Sequence, residues 1–162
     1  MKTMKGYFPA AAAALLAVCA AGAGGQPVAG PLLAYCAAST NEAGPGDEID
    51  VSCVLSNVSP ASIVISSEGR WLGLSWSGGG VSGRTAQRYL FRRSITANYL
   101  TLRPGDAVRQ TQEFWVPDQL KTGPLLIRTK FRSLDPGDHF NYLAWTGTVE
   151  TAAIRITVRG AD

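Results

Sequence analysis

The stretch Pro45-Gly46-Asp47-Glu48-Ile49-Asp50-Val51-Ser52-Cys53-Val54-Leu55-Ser56-Asn57 decides the fold class. Ile49, Val51, Cys53 and Leu55 alternate with Asp50, Ser52 and Ser56, the period of two that marks a strand with one buried face. In the Pro-Gly-Asp ahead of it, Pro presets the first central φ and Gly accepts a positive φ at the second, so the triplet reads as a type II turn delivering the chain into that strand. The same triplet recurs at Pro104-Gly105-Asp106 and Pro136-Gly137-Asp138. Its spacing is irregular, so these are turns rather than an internal repeat.

Outward from this stretch the period of two persists. Leu125, Ile127, Thr129 and Phe131 predict one strand with Arg128, Lys130 and Arg132 on its opposite face, and Ile154, Ile156 and Val158 predict the last strand, with Arg155, Thr157 and Arg159 turned to water. Val108, Gln110, Gln112, Phe114 and Val116 form a mixed face. Shorter strands are expected over 32–36, 62–66, 71–76, 87–92, 99–102 and 140–145. One helical turn is expected over 116–123, capped by Asp118 and stopped by Gly123. Eight to ten short strands without a true helix predict an all-β domain, an antiparallel β-sandwich.

The Pro45-Gly46-Asp47 turn, the strand ending at Leu55-Ser56-Asn57, and Leu102-Arg103-Pro104-Gly105-Asp106 ahead of a long strand resemble bacterial immunoglobulin-like sandwiches. They are also similar to the proteinase-inhibitor type of sandwich. The resemblance implies an immunoglobulin-like fold and assigns no functional residue, since such domains share no common active site.

The first residues belong to a different kind of sequence. Lys2 and Lys5 precede an uncharged, Ala-rich run over 8–21 and the small residues Gly22 to Gly25. Residues 1–23 therefore read as a signal peptide, 24–31 as a flexible linker and 32–162 as the domain. In a second reading Leu16-Ala17-Val18-Cys19 resembles the lipobox of bacterial lipoproteins, with signal 1–18 and a lipidated Cys19, although Val18 departs from the usual small residue. The apolar run is shorter than the roughly 20 residues a spanning helix needs, so a membrane would be met only through that lipid. An exported chain, periplasmic or extracellular, is expected either way. With Cys19 set aside, Cys36 and Cys53 are expected to form a disulfide, the alternative being two buried thiols.

The 162 residues carry a formal charge of +3, from 15 basic and 12 acidic residues. Without Lys2 and Lys5 the balance falls to 13 against 12, a net charge of +1, so overall basicity gives no reason to expect nucleic acid. The distribution is uneven: between Glu68 and Asp106 lie Arg70, Arg84, Arg88, Arg92, Arg93 and Arg103 and no acid, interleaved with Trp71, Trp76, Tyr89, Phe91 and Tyr99. Arginine forks suit carboxylate, phosphate or sulfate, and aromatic faces suit sugars or cations. Arg84, Arg88, Arg92, Arg93, Trp76 and Tyr89 are thus the candidate partner-binding residues, for a protein or an anionic or carbohydrate ligand. The plainer reading is a solvated face balanced by acids on neighbouring strands.

Other constellations are weaker. Ser77-Gly78-Gly79-Gly80-Val81-Ser82-Gly83 lacks the Lys-Ser/Thr ending of a phosphate-binding loop and reads as a flexible loop. His139, the one histidine, lies beside Asp135 and Asp138, a poor zinc set. Asp47, Glu48 and Asp50 lack a calcium-loop pattern. Trp71, Trp76, Trp115 and Trp145 could form a sugar platform or a core. Asn57-Val58-Ser59 matches a glycosylation sequon that Pro60 follows. No catalytic, cofactor or metal residue is assigned. The expectation is a non-catalytic binding or interaction module, the alternatives being a protease inhibitor acting through a loop at 78–84, a hydrolase using His139, or a structural subunit of an envelope assembly.

Overall fold

The computed structural model describes residues 30–66, 69–89, 99–134 and 144–160. Every regular element among them is a strand. In chain order these are β1 (Leu32–Ala38), β2 (Glu42–Ala43), β3 (Glu48–Asn57), β4 (Ile63–Ser66), β5 (Arg70–Trp71), β6 (Ser75–Gly78) and β7 (Val81–Arg84). There follow β8 (Arg88–Tyr89), β9 (Tyr99–Leu102), β10 (Ala107–Trp115), β11 (Gly123–Arg128), β12 (Lys130–Ser133), β13 (Gly147–Glu150) and β14 (Ile154–Val158).

One sheet runs β1-β3-β10 and a second β2-β14-β11-β6-β7, with a four-stranded piece β13-β12-β5-β8 and the pair β4-β9. All pairings are antiparallel except β14 with β2. This is an immunoglobulin-like sandwich: β1, β3 and β10 stand where strands A, B and E stand, and β14, β11, β6 and β7 where G, F, C and C′ stand. The inward residues Ile49, Val51, Cys53 and Leu55 of β3 and Phe114 of β10 share one core with Leu125, Ile127, Ile156 and Val158 from the facing sheet. The alternation expected for β3 and β14 is present, and both glutamines of the mixed face of β10 turn inward, Gln112 only 4% exposed.

The β3–β10 ribbon is regular from end to end. Nine successive pairs, from Ala107 opposite Ser56 to Trp115 opposite Glu48, keep one register. A Pro-Gly-Asp turn closes each end in the same way. Gly46 and Gly105 have φ of 80° and 82°, and the Asp47 and Asp106 amides donate to the Gly44 and Arg103 carbonyls, which makes both type II turns. Each Asp carboxylate also accepts its first turn residue's amide: Gly44 N–H to Asp47 Oδ2 at 2.6 Å and Arg103 N–H to Asp106 Oδ2 at 2.8 Å. Each Gly amide then donates across the ribbon, Gly46 to the Val116 carbonyl and Gly105 to the Asn57 carbonyl. The third triplet, 136–138, lies outside the described residues.

Asn57 is fully buried at one of these ends. Its Nδ2 donates to the carbonyls of Ala61 (2.7 Å) and Leu102 (2.9 Å), while Oδ1 accepts from the Ser59 amide and hydroxyl. The amide is thus committed to holding β3 to β9, which removes the sequon from consideration.

Cys36 and Cys53 form the expected disulfide, opposite one another on β1 and β3 with Cα atoms 4.1 Å apart. Counted in alternation from the Asn57 N–H to Asp106 C=O bond, Cys53 exchanges ladder bonds with Gln110, leaving Cys36–Cys53 as a close, non-bonded pair. The bridge closes a 17-residue separation, worth about 3 kcal/mol in the chain-entropy account. It lies within one sheet rather than between the two, unlike the bridge of antibody domains.

Three expectations need correction. The strand over Leu125 to Phe131 is divided at Thr129 into β11 and β12, and the strand over 71–76 into β5 and β6. Both divisions arise from bulges. Arg128 opposes Ser75 and Phe131 opposes Trp71, so residues 72–74 carry one residue more than 129–130 across from them. On the other flank Ile127 opposes Ile154 and Lys130 opposes Glu150, and residues 151–153 again hold one extra. Such breaks and two-residue pieces raise the count to fourteen strand segments among the described residues. Second, the stretch 77–83 is not a loop: Gly79 and Gly80, at φ 56° and 83°, form the two-residue turn of the β6–β7 hairpin. Third, residues 117–120 form a single turn, Leu120 N–H to Pro117 C=O, and no helix.

Candidate functional site

The doubled bulge shapes the outer face of the second sheet. Thr129 holds it: its hydroxyl donates to the Gly73 carbonyl at 2.7 Å, its amide donates to Thr151 Oγ1 at 3.0 Å, and its carbonyl accepts the Thr151 amide. Gly73 has φ 82°, and a Cβ there would collide with the carbonyl oxygens of Thr85 and Ala86. Bulges bend a strand and re-aim the side chains beside them. The flanking Arg128 and Lys130 both reach Glu150, at 3.9 Å and 3.0 Å.

A groove of about 640 Å³ crosses this bend, bordered by Ser75, Ser77 and Ser82 of the hairpin, Arg84, Arg128, Lys130 and Glu150. Its order follows from register. Arg128 faces Ser75, and Ser75 faces Arg84, whose Nε donates to Ser75 Oγ at 3.1 Å. One row across three strands thus reads Arg128-Ser75-Arg84, with the two arginine backbones about 10 Å apart at the usual strand spacing. The adjacent row reads Arg155-Leu126-Ser77-Ser82. Among the described residues, three cations and several hydroxyls therefore border the groove with a single acid. Its ion pairs are exposed, the Lys130 and Glu150 side chains at 46% and 45%, and exposed pairs of this kind are worth roughly 0–1 kcal/mol, so little free energy holds Glu150 against Lys130.

Of the residues expected to bind a partner, Arg84 stands at this groove. Trp76 borders it, but its cross-strand partner is Ile127, fully buried, and the half-buried indole packs toward the core over Gly83, where a Cβ would lie 2.6 Å from Cζ2. Arg88 and Tyr89 form the short strand β8 against β5. Arg92 and Arg93 lie outside the described residues, as do His139, Asp135, Asp138 and Cys19. Arg128, Lys130 and Glu150 were not expected at a site. The signal for Arg128 and Lys130 was the outward face predicted for the strand around Thr129, which lacked only the knowledge that β6 and β7 lie beside it; Glu150, on β13, carried none.

The four tryptophans do not make one platform. Trp71 is fully buried, edge-on to Phe131 with centroids 5.5 Å apart, Trp145 stacks on Phe131 at 6.3 Å, and Trp115 is 61% exposed on β10. Among the described residues no group of three His, Cys, Asp or Glu could hold a metal ion, and no helix is long and apolar enough to cross a membrane. The Asp47 carboxylate is taken up by its own turn.

No protein-family profile matches the chain and no curated protein matches it in sequence. Among solved structures it is similar to Spo0M, the sporulation control protein of Bacillus subtilis, at 14% identity and a TM-score of 0.48, over 82% of this chain and 51% of that one. It is also similar to the CARDB domain of PF1109 from Pyrococcus furiosus, at 9% identity and a TM-score of 0.44, over 79% and 94% of the two chains. The chain thus spans about half the length of Spo0M. At these values the likenesses bear on no function.

Proposed function

We propose that the chain is an exported, non-catalytic binding module whose ligand presents a carboxylate, phosphate or sulfate group to the groove over Thr129. The row Arg128-Ser75-Arg84 carries this reading: two planar guanidinium forks with a hydroxyl between them match a planar or tetrahedral anion. Lys130, paired with Glu150, adds a third positive charge at the rim. Export through residues 1–23, or anchoring through Cys19, agrees with a disulfide, which persists in oxidising compartments. A protease inhibitor would present an extended loop, whereas 78–84 is a tight hairpin.

The test uses calorimetric titration of the purified protein with a sulfated oligosaccharide and with a phosphorylated peptide, at low and high salt. Salt-sensitive binding of at least one probe is expected, weakened at least about tenfold in Arg84→Glu/Arg128→Glu, since charge-assisted bonds are worth ~1.5–3 kcal/mol each. Binding of neither probe overturns the ligand class. Binding that survives this variant and is lost in Arg88→Glu/Arg92→Glu moves the site to the stretch 88–92 and overturns the groove.

A further inference from the structure

Strand β10 ladders with β3 on one side, and among the described residues no strand pairs with the other, where a constant-type immunoglobulin sandwich places strand D. The terminal bonds fix which residues face outward. Asn57 N–H donates to Asp106 C=O, and Val116 N–H donates to Asp47 C=O, so the even-numbered residues of β10 bond to β3. Ala107, Arg109, Thr111, Glu113 and Trp115 then aim their N–H and C=O groups at that other edge. Natural sheets blunt such edges with proline, charged side chains, bulges or brevity. Over nine residues β10 has no proline and no bulge, and its two charged residues, Arg109 and Glu113, are of opposite sign. The same five residues expose their side chains on the outer face of the sheet.

We propose that this edge pairs antiparallel with a second copy of the chain, about a two-fold axis through Thr111. In that register Thr111 faces its own copy, Arg109 of each chain faces Glu113 of the other, and Ala107 faces the exposed Trp115. A two-fold axis repeats each contact, which gives two Arg–Glu pairs, two Trp–Ala pairs and about ten backbone bonds. Charge selects the register. Moving the axis to Gln110 or Gln112 separates both Arg–Glu pairs, and moving it to Arg109 or Glu113 sets like charges opposite each other. The five outward side chains are thus self-complementary in one alignment, which is what a symmetric interface requires. The sheet would become six-stranded, β1-β3-β10 followed by its copy, and the groove over Thr129, on the other sheet, would stay open.

Sedimentation of the purified protein tests this. A reversible dimer is expected, and Arg109→Glu or Glu113→Arg alone, each setting like charges opposite in both pairs, weakens it by about tenfold or more. The double variant Arg109→Glu/Glu113→Arg restores the dimer. So does an equimolar mixture of the two single variants, in which only the heterodimer has opposite charges facing. Both residues are exposed, so the variants keep the unfolding midpoint of the parent within a few degrees. A protein that stays monomeric at high concentration overturns the proposal, and so does a dimer indifferent to these charges or one that the double variant fails to restore.

Discussion

The two sheets treat register in opposite ways. The β3–β10 ribbon holds one alignment through nine pairs and ends in twin turns, whereas β11–β12 loses one residue of register to both neighbours at Thr129. The regular sheet also carries the disulfide and the buried Asn57 amide. The irregular one carries the groove. Regular ladders bring backbone groups into full pairing and leave side chains in fixed rows, which favours stability. A bulge gives up a ladder position and gains a bend, and here the bend brings Arg128 and Lys130 onto the same carboxylate.

Breaking the irregular side takes one atom. Gly73→Ala puts a Cβ into the carbonyls of Thr85 and Ala86 at a φ that disfavours any side chain, and is expected to destabilise the domain by about 3 kcal/mol or more, measured by urea unfolding. The two neighbouring carbonyls belong to backbone, so relief requires residues 85–86 or the bulge itself to move. A loss under about 1 kcal/mol would mean that the bulge is soft, and that the groove geometry is not fixed by it.

The same contrast decides what could be read from sequence. The alternation of β3 and β14, the Pro-Gly-Asp turns and the Cys36–Cys53 bridge are local or nearly local, and the period of two, the turn residues and the even cysteine count express them in turn. The division at Thr129 left no trace in its own strand, because Leu125, Ile127, Thr129 and Phe131 are all buried without a break in alternation. The extra residues sit in the partners, at 72–74 and 151–153, and only pairing reveals them. The β6–β7 hairpin did carry a signal, the Gly79-Gly80 dipeptide, but its flanks Ser77, Gly78, Ser82 and Gly83 lack the apolar alternation that distinguishes a hairpin from a loop. Of the candidate site, only Arg84 and the inward-packed Trp76 at its border were legible. The row Arg128-Ser75-Arg84 joins residues more than forty positions apart through sheet order, which composition and spacing do not encode.

On the regular side the larger effect is at Asn57. Asn57→Ala removes two donors and an acceptor at once, leaving the Ala61 and Leu102 carbonyls and the Ser59 amide without that partner. A loss of about 2–3 kcal/mol is expected, since buried groups left unsatisfied cost roughly 1–3 kcal/mol. The Gly73 and Asn57 losses should add, because the two sites share no hydrogen-bond partner. Strong non-additivity in the double variant would show that the two sheets fold as one cooperative contact set rather than as a rigid ribbon beside a bent one.

The finest test compares the two ends of the ribbon with each other. Asp47 and Asp106 hold their turns by the same carboxylate-to-amide bond, at 2.6 Å and 2.8 Å, both exposed. Asp47→Ala and Asp106→Ala should therefore each cost about 1 kcal/mol and differ by less than about 0.5 kcal/mol. The glycines beside them should part company. A Cβ at Gly105 meets nothing within 4 Å, while one at Gly46 lies 3.0 Å from Asp118 Oδ1, so Gly46→Ala adds a contact to the strain that both share at φ near +80°. Equal losses for the aspartates with a larger loss at Gly46 than at Gly105 would confirm two identical turns in unequal surroundings. Unequal aspartates would show instead that one end carries the register, and Asn57, which ties β3 to β9 at the Asp106 end, makes that the end to suspect.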